Sequence, residues 1–334
     1  MIPHTDRPES GAKTVLLLKP RGFCAGVVRA IDIVRIALET FGAPIYVRKE
    51  IVHNRYVVDD LAAKGAIFVD SVEDIPEGAR VIYSAHGVAP EVREASKARK
   101  LKVIDATCPL VTKVHVEAIK FARQGHSLIL VGHRDHDEII GTLGEAPSVT
   151  QVVSSPAEVE NLHVPDPERV AYLTQTTLSL DEAKDIIEAL KRKFPKIHGP
   201  HAQDICYATE NRQIAVKNVA PQADLLLVVG SENSSNSNRL VEVATRLETP
   251  AYLIENFRTI RPEWLEDVKT VALTAGASAP ECLVEEVVEY LSTKEGFNRV
   301  EEVEVMAENV RFGLPPEIVA AIQAAPSPTA VAAE

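Results

Sequence analysis

The stretch KTVLLLKPRGFCAGVVRAI, residues 13–31, joins an apolar run to a helical pattern through a cysteine. Residues 15–18 have the length and composition of a strand, and Pro20 and Gly22 break that run. After Cys24, apolar residues recur at helical spacing. This order predicts a strand, a loop and a helix. It puts the thiol at the helix N-terminus, where the helix dipole favours the thiolate.

Two further stretches repeat this arrangement. Residues 103–107 lead to Cys108 and a second helical pattern, and residues 204–205 lead to Cys206 and a third. Cys108 follows Cys24 by 84 residues, and Cys206 follows Cys108 by 98 residues. We therefore interpret the chain as three copies of one unit, each built around a cysteine.

The composition narrows the class of protein. With 46% hydrophobic and 25% charged residues in 334, the chain is typical of a globular protein. The net charge of −12 argues against nucleic acid or an anionic membrane surface as a partner. No run approaches the 18 apolar residues of a membrane span. Four widely spaced cysteines without a secretory signal predict free thiols and a cytoplasmic location.

Alternating strand-like and helical patterns predict an α/β fold. We expect three pseudo-threefold-related units, each a small mainly parallel sheet flanked by helices, around a central cluster site. The expected parts are a disordered lead (1–12), three α/β units (13–107, 108–205 and 206–292), and a C-terminal tail (293–334) that packs on the first unit and ends in disorder. Within the tail, the alternation over residues 299–311 is typical of an edge strand.

Parallel sheets bind ligands at the carboxyl ends of their strands, so polar residues that follow the strands are candidates for a binding site. In the first two units these residues are His53, His86, His136 and Thr176, and in the third they are Ser234, Ser235, Asn236 and Ser278. His53, His136 and Ser235 lie 28 or 29 residues after the cysteine of their own unit. Each candidate precedes a helical pattern, where an anion such as a phosphate binds.

The three repeated cysteines indicate a metal centre. Three thiolates on one axis suit an iron–sulfur cluster with one open iron, whereas three thiolates and a histidine suit zinc. The residues alone leave both possibilities open. Cys282 lies in a helical pattern outside the repeat and is interpreted as structural.

Glu138 has two interpretations. It lies two residues after His136, at the start of a helical pattern, where a carboxylate complements the helix dipole. A carboxyl group at that place could also donate a proton to a ligand. The residue pattern does not separate these two roles.

Several longer segments carry a resemblance to a known family. They are PRGFCAGVVRAI, EIVHNRYVV, SAHGV, DATCPLVTKVH, GHRDHDEIIGTLGE, TQTTLS, ICYATENRQ, GSENSSNSNRL and TAGASAPE, and they extend from Pro20 to Glu281. The chain resembles the LytB/IspH family of 4-hydroxy-3-methylbut-2-enyl diphosphate reductases. The resemblance implies one [4Fe-4S] cluster held by Cys24, Cys108 and Cys206, with one open iron. It also implies a diphosphate pocket formed by His53, His86, His136, Ser234, Ser235, Asn236 and Ser278.

The resemblance further implies a reaction. Glu138 is the implied proton source, and Thr176 lies beside it at the substrate hydroxyl. The implied reaction is a two-electron reductive dehydroxylation of an allylic diphosphate, in which the allylic oxygen binds the open iron and leaves as water. A ferredoxin or flavodoxin is the implied type of electron donor. Two alternatives are an iron–sulfur lyase or hydratase acting on a small diphosphate, and a sensor of the cluster or of an isoprenoid diphosphate. Glu138 and Thr176 favour an enzyme over a sensor.

Overall fold

The structure is a computed structural model that describes residues 12–324. Nearly all of the expected disordered lead and the expected disordered end lie outside these residues. The strands are β1 (Thr14–Lys19), β2 (Ile45–Arg48), β3 (Ala66–Val69), β4 (Arg80–Tyr83), β5 (Lys102–Asp105), β6 (Ser127–Val131), β7 (Thr150–Val153), β8 (Val170–Thr174), β9 (Leu225–Val229), β10 (Ala251–Ile254), β11 (Thr270–Ala275) and β12 (Arg299–Glu304). The helices are α1 (Ala25–Phe41), α2 (Arg55–Ala63), α3 (Pro90–Ala98), α4 (Pro109–Arg123), α5 (Asp137–Glu145), α6 (Pro156–Glu160), α7 (Leu180–Lys193), α8 (Tyr207–Val219), α9 (Ser235–Arg246), α10 (Glu281–Lys294) and α11 (Pro316–Ala324).

These elements form two compact units. Among the described residues, the five-stranded unit comprises residues 12–23 together with Tyr207–Asn309, and its sheet has the order β10-β9-β11-β1-β12. The two-sheet unit comprises Cys24–Cys206 and residues 310–324, with sheets of order β3-β2-β4-β5 and β7-β6-β8. Every strand pairing within these sheets is parallel. The predicted α/β fold with three small parallel sheets flanked by helices is confirmed.

Strand β1 does not pair within the first sequence segment. Its neighbours are β11 and β12, which come from the other end of the chain. Helical and strand periodicity reports which residues are buried, but it carries no information about which strand lies beside which. β12 is an edge strand, as its alternating sequence predicted. Helix α11 packs on α1 within the two-sheet unit.

The core of the five-stranded unit shows why a continuous apolar run forms a central strand. All five residues of β9, LLLVV, are buried, as expected for a strand covered on both faces. Leu225, Leu227 and Val229 pack in one apolar cluster, and Leu226 and Val228 pack in another. The alternation of side chains along the strand therefore supplies both faces of the sheet.

Helices begin at the loops that carry the candidate site residues. The N-cap residues are Cys24 for α1, Cys108 for α4, His136 for α5 and Ser234 for α9. Several candidates therefore lie at helix N-termini, where His136 caps the amide of Glu138 and Ser234 caps the amide of Ser237. Among residues 12–324, none of the helices combines the length and the apolar character that crossing a membrane would require.

Candidate metal and anion site

Cys24 and Cys108 lie side by side at the starts of two helices. The Cys24 carbonyl accepts the amide of Val28, and the Cys108 carbonyl accepts the amide of Thr112, each at 2.9 Å. Gly26 separates the two thiols. A Cβ atom at this position would lie 2.8 Å from the Cys108 sulfur and 3.8 Å from the Cys24 sulfur. Gly26 is therefore required by the close approach of the two cysteines.

Cys206 is the third thiol of this group. It precedes α8 directly, and its charge interacts with that of Cys108. No disulfide joins the cysteines of the described chain. Three free thiols are the type of donor that iron–sulfur clusters and zinc both take in proteins.

The thiol of Cys108 is poorly stabilised as a free anion. Burial raises its pKa to about 12, and the neighbouring Cys24 and Cys206 act in the same direction. The amides of Leu110 and Val111 act in the opposite direction, but they do not compensate for the burial. A bound cationic centre would remove this penalty, because thiolates are the form that binds metal.

Three histidines from three different loops come together in the two-sheet unit. The rings of His53 and His86 stack with centroids 3.9 Å apart. The His136 ring meets them edge-on, at 5.7 Å from His53 and 5.9 Å from His86. His53 Nδ1 contacts Glu50 at 3.1 Å, and His136 Nδ1 accepts the amide of Glu138 at 3.2 Å. The structure thus brings together the three histidines that follow predicted strands.

Burial favours the neutral forms of His86 and His136 by lowering the pKa of each imidazole. It lowers the pKa of His136 to about 4, and the pKa of His86 lies well below its usual value of 6.5. In both cases a neighbouring histidine and Lys49 are further causes in the same direction. An anionic ligand would reverse this effect, because a negative charge beside an imidazole favours the protonated form.

Lys49 lies near the histidine cluster and was not among the predicted site residues. It follows β2 directly with a backbone φ of 55°, in the left-handed region, and its ammonium group forms an ion pair with Asp137. Its charge acts on His86 and His136. The only signal in the sequence is a basic residue at the end of a strand, four positions before His53.

Glu138 is a buried carboxyl group bound to Thr176. Only 2% of the residue is exposed. One carboxyl oxygen accepts the amide of Thr176 at 2.7 Å, and the other lies 2.9 Å from the Thr176 hydroxyl. Burial raises the pKa of Glu138 to about 7, the charge of Asp204 adds to that effect, and the two bonds from Thr176 oppose it. The group can therefore hold a proton near neutral pH.

Backbone hydrogen bonds tie these groups to the cysteines. The Cys206 amide donates to the Thr176 carbonyl, and the Cys108 amide donates to the carbonyl of Ala85, the residue before His86, each at 3.0 Å. The cysteine, histidine and carboxyl groups of the two-sheet unit thus belong to one connected set of loops.

The remaining candidates lie in the five-stranded unit, at the start of α9 and after β11. The Ser234 side chain caps α9 by accepting the amide of Ser237 at 3.4 Å. Asn236 donates to the Thr209 hydroxyl at 3.2 Å and accepts the amide of Ala277 at 2.9 Å. It therefore joins α9 to the loop that carries Ser278, which is buried. Ser235 is the first residue of α9.

Comparison with known families identifies related proteins. The family model described as LytB protein matches residues 15–292. A protein of Acidothermus cellulolyticus, named 4-hydroxy-3-methylbut-2-enyl diphosphate reductase, is 54% identical over 315 residues, which are 94% of this chain and 92% of that protein. A protein of the same name from Ralstonia nicotianae is 55% identical over 309 residues, 92% of this chain and 95% of the relative.

Two solved structures are similar to this chain. The E-1-hydroxy-2-methyl-but-2-enyl-4-diphosphate reductase from Plasmodium falciparum superposes with a TM-score of 0.91 at 40% identity, covering 94% of this chain and 99% of that chain. A structure titled (E)-4-hydroxy-3-methyl-but-2-enyl diphosphate reductase, the terminal enzyme of the non-mevalonate pathway, gives a TM-score of 0.60 at 33% identity. It covers 84% of this chain and 99% of that chain.

Proposed function

Because the chain belongs to the LytB protein family, we propose that it reduces (E)-4-hydroxy-3-methylbut-2-enyl diphosphate to isopentenyl and dimethylallyl diphosphate, the last step of the non-mevalonate isoprenoid pathway. The substrate C–OH group, two electrons and two protons give a C–H group and water. The chain must therefore hold an electron-transferring centre, bind a diphosphate, and deliver a proton to the leaving oxygen.

Cys24, Cys108 and Cys206 would hold the electron-transferring centre. Three thiolates are a suitable donor set for a [4Fe-4S] cluster, and membership of the LytB protein family supports that centre over a single zinc ion. Such a cluster would supply single electrons, and three cysteine ligands would leave one of its irons without a protein thiolate. The helix N-termini at Cys24 and Cys108 favour the anionic thiolates that this centre requires.

Family membership supports diphosphate-binding roles for the candidates of each unit, taken separately. Burial lowers the pKa of His86 and His136, and a phosphate beside the cluster of His53, His86 and His136 would favour the protonated imidazole. Ser234, Ser235, Asn236 and Ser278 supply hydroxyl and amide groups around the start of α9. The hydrogen bonds of Asn236 to Thr209 and Ala277 hold that loop in a fixed form.

Glu138 is assigned as the acid that protonates the leaving oxygen. With a pKa of about 7, it carries a proton in much of the population at neutral pH. The Thr176 hydroxyl, 2.9 Å from the carboxyl group, would orient the substrate hydroxyl toward that proton. A general acid near the working pH is the efficient choice for such a transfer.

The observation that supports this function most directly is the chain of contacts from Glu138 through Thr176 to the Cys206 amide. It connects a carboxyl group of raised pKa to a cysteine of the proposed centre. The test is an anaerobic assay with the cluster-loaded chain, a reduced dye as electron source, and the allylic diphosphate. We expect two dye electrons per product formed, whereas a lyase or hydratase would consume substrate without oxidising the dye.

The electron donor and the location of the protein stay predictions. We propose a small electron-carrier protein such as a ferredoxin or a flavodoxin, because each turnover needs two electrons. A cytoplasmic location agrees with the four free thiols of the chain. Reduction of the cluster by either purified carrier, followed by its absorbance, would identify the donor.

A further inference from the structure

A cation lies in the second turn of each helix that follows a cysteine. The three cations are Arg29 in α1, Lys113 in α4 and Arg212 in α8. Each lies five or six residues after the cysteine at the start of its own helix. None of them pairs with the segment before that cysteine. Each instead binds the backbone just before a different cysteine.

Arg29 binds the segment that leads to Cys108. Its Nη1 atom donates to the carbonyl oxygens of Ala106 and Thr107, both at 3.1 Å. These are the two residues directly before Cys108. The Nε atom of the same guanidinium donates to the Gly313 carbonyl at 2.7 Å, so the C-terminal segment shares this contact.

Lys113 binds the segment that leads to Cys206. Its ammonium group donates to the Ala202 carbonyl at 2.5 Å, to the Gln203 carbonyl at 3.4 Å and to the Asp204 carboxylate at 2.7 Å. Asp204 is buried and also accepts the amide of Thr174 at 2.9 Å. The lysine therefore holds both the chain before Cys206 and the end of β8.

Arg212 binds the segment that leads to Cys24. Its side chain is fully buried, and Nη2 donates to the Gly22 carbonyl at 2.6 Å. Nη1 donates to Glu308 at 2.9 Å and to the Ala208 carbonyl of its own helix at 3.0 Å. Gly22 has a φ of +68°, so the loop before Cys24 is held in a left-handed turn at the contact.

The contacts run in a closed order: the helix of Cys24 holds the loop of Cys108, that of Cys108 holds the loop of Cys206, and that of Cys206 holds the loop of Cys24. We propose that Arg29, Lys113 and Arg212 are a cyclic set of positioning residues, each fixing the loop of the next cysteine and each adding positive charge behind it. The effect of this charge on the iron–sulfur centre rests on the proposed function.

The charges of the three cations are balanced differently. Among the described residues, Lys113 and Arg212 form ion pairs with carboxylates, whereas Arg29 binds carbonyl oxygens. Asp105 and Cys108 are the acidic groups whose charges act on Arg29. The reduction potential of a cluster depends on the local net charge, since a positive neighbour stabilises an added electron. Arg29 should therefore raise the potential most.

Hydrogen exchange on the full-length chain tests the cyclic order. The variants are Arg29→Gln, Lys113→Gln and Arg212→Gln, with Arg35→Gln as the control. Arg35 lies on the same helix as Arg29 but pairs with Asp60 at the surface. The amides to follow are those of Cys108, Cys206 and Gly22, which are all hydrogen-bonded.

In each variant, we expect hydrogen exchange about tenfold faster in the segment that the substituted cation binds in wild type, because the charge-assisted hydrogen bonds of that segment are lost. The segment before the cysteine at the start of the variant's own helix should exchange at the wild-type rate. Equal acceleration in all three segments, or acceleration confined to the variant's own cysteine, would overturn the cyclic order. If the Arg212→Gln variant does not fold, Arg29→Gln and Lys113→Gln still test the cyclic order. Arg29 and Lys113 are partly exposed, so we expect both variants to fold.

A potentiometric titration of the cluster-loaded chain, followed by electron paramagnetic resonance, tests the charge effect. Arg29→Gln should have a more negative midpoint potential than wild type. Arg29→Lys keeps the charge, so its midpoint potential should lie close to that of wild type. Arg35→Gln should have the wild-type midpoint potential. A potential of Arg29→Gln equal to that of wild type would overturn the proposal. A wild-type chain that binds no iron–sulfur cluster would instead contradict the proposed function, while the exchange test would still stand.

Discussion

At the scale of single residues, Glu138 allows the clearest experiment. If Glu138 only complemented the dipole of α5, it would contribute about 0.3–1 kcal/mol to the free energy of unfolding. The Glu138→Gln variant would then turn over substrate at nearly the wild-type rate. Loss of a general acid typically lowers a rate by about 10²–10⁴-fold. We expect Glu138→Gln to lower kcat by about 10²–10⁴-fold, while the variant still binds substrate and keeps its cluster. Single-turnover kinetics of the loaded variant measure it, and near-normal kcat would return Glu138 to a capping role.

The pH dependence of the wild-type enzyme checks the same assignment. Because the pKa of Glu138 is raised from 4.5 to about 7, the protonated form is lost as pH rises through about 7. The kcat of wild type should fall above that pH, and this limb should be missing in Glu138→Gln. The same shift lowers the free energy of unfolding as pH rises from 4.5 to about 7, since the folded state there holds more protons than the unfolded state.

The cysteines differ in what their loss should do. Cys24→Ser, Cys108→Ser and Cys206→Ser should each lose the visible absorbance and most of the iron of the reconstituted protein. Cys282 is the matched control, because it lies in α10 against the apolar core of the five-stranded unit. Cys282→Ser should keep both signals. Iron loss in Cys282→Ser, with full iron in one of the other three variants, would refute the ligand assignment.

His86 should act on substrate binding. It is buried, its pKa is lowered mainly by burial, and its ring stacks on His53. His86→Phe keeps the ring stack but loses a charge-assisted contact to phosphate, so we expect the diphosphate to bind about ten- to a hundredfold more weakly. Product inhibition by isopentenyl diphosphate measures this. His126→Phe, where the ring packs on Phe121 and His198, should bind as wild type does. Equal inhibition of the two variants would remove His86 from the pocket.

At the scale of elements, Asn236 connects two helices and a loop. Its amide group donates to Thr209 of α8 and accepts the amide of Ala277 after β11, and both contacts are buried or partly buried. Asn236→Ala leaves these partners without it, so we expect a loss of about 1–3 kcal/mol in the free energy of unfolding. Urea denaturation measures the loss, with Asn238→Ala, at a more exposed position of the same turn, as the comparison. A loss no larger than that of Asn238→Ala would contradict the connecting role.

The same elements show what the sequence can and cannot predict. Apolar runs and breaks predicted the parallel sheets, and the polar residues that follow the strands made His53 and His136 candidates. The ion pair of Lys49 with Asp137 and the buried position of Asp204 were missed. These contacts join residues far apart in the chain, and local periodicity reports burial but not such partners. Glu138 remained ambiguous for the same reason, since only its burial beside Thr176 raises its pKa.

At the scale of the whole molecule, the position of β1 determines when the five-stranded sheet can be completed. β1 pairs with β11 and β12, whose first residues in the register are Thr270 and Arg299. The other two sheets need only contiguous parts of the chain, from β2 to β5 and from β6 to β8. During synthesis these sheets can form while β1 still lacks both of its partners.

At a synthesis rate of about 5–20 residues per second, β1 waits roughly 15–60 seconds for the strands that flank it. Its apolar sequence, TVLLLK, is then an unpaired strand in the growing chain. We expect a chain that stops before Arg299 to aggregate, because it permanently exposes this edge. Sedimentation of the chain ending at residue 298, compared with one ending at residue 309, would show it, and equal recovery of both would refute it. The part of the protein made first therefore depends longest on protection by chaperones in the cell.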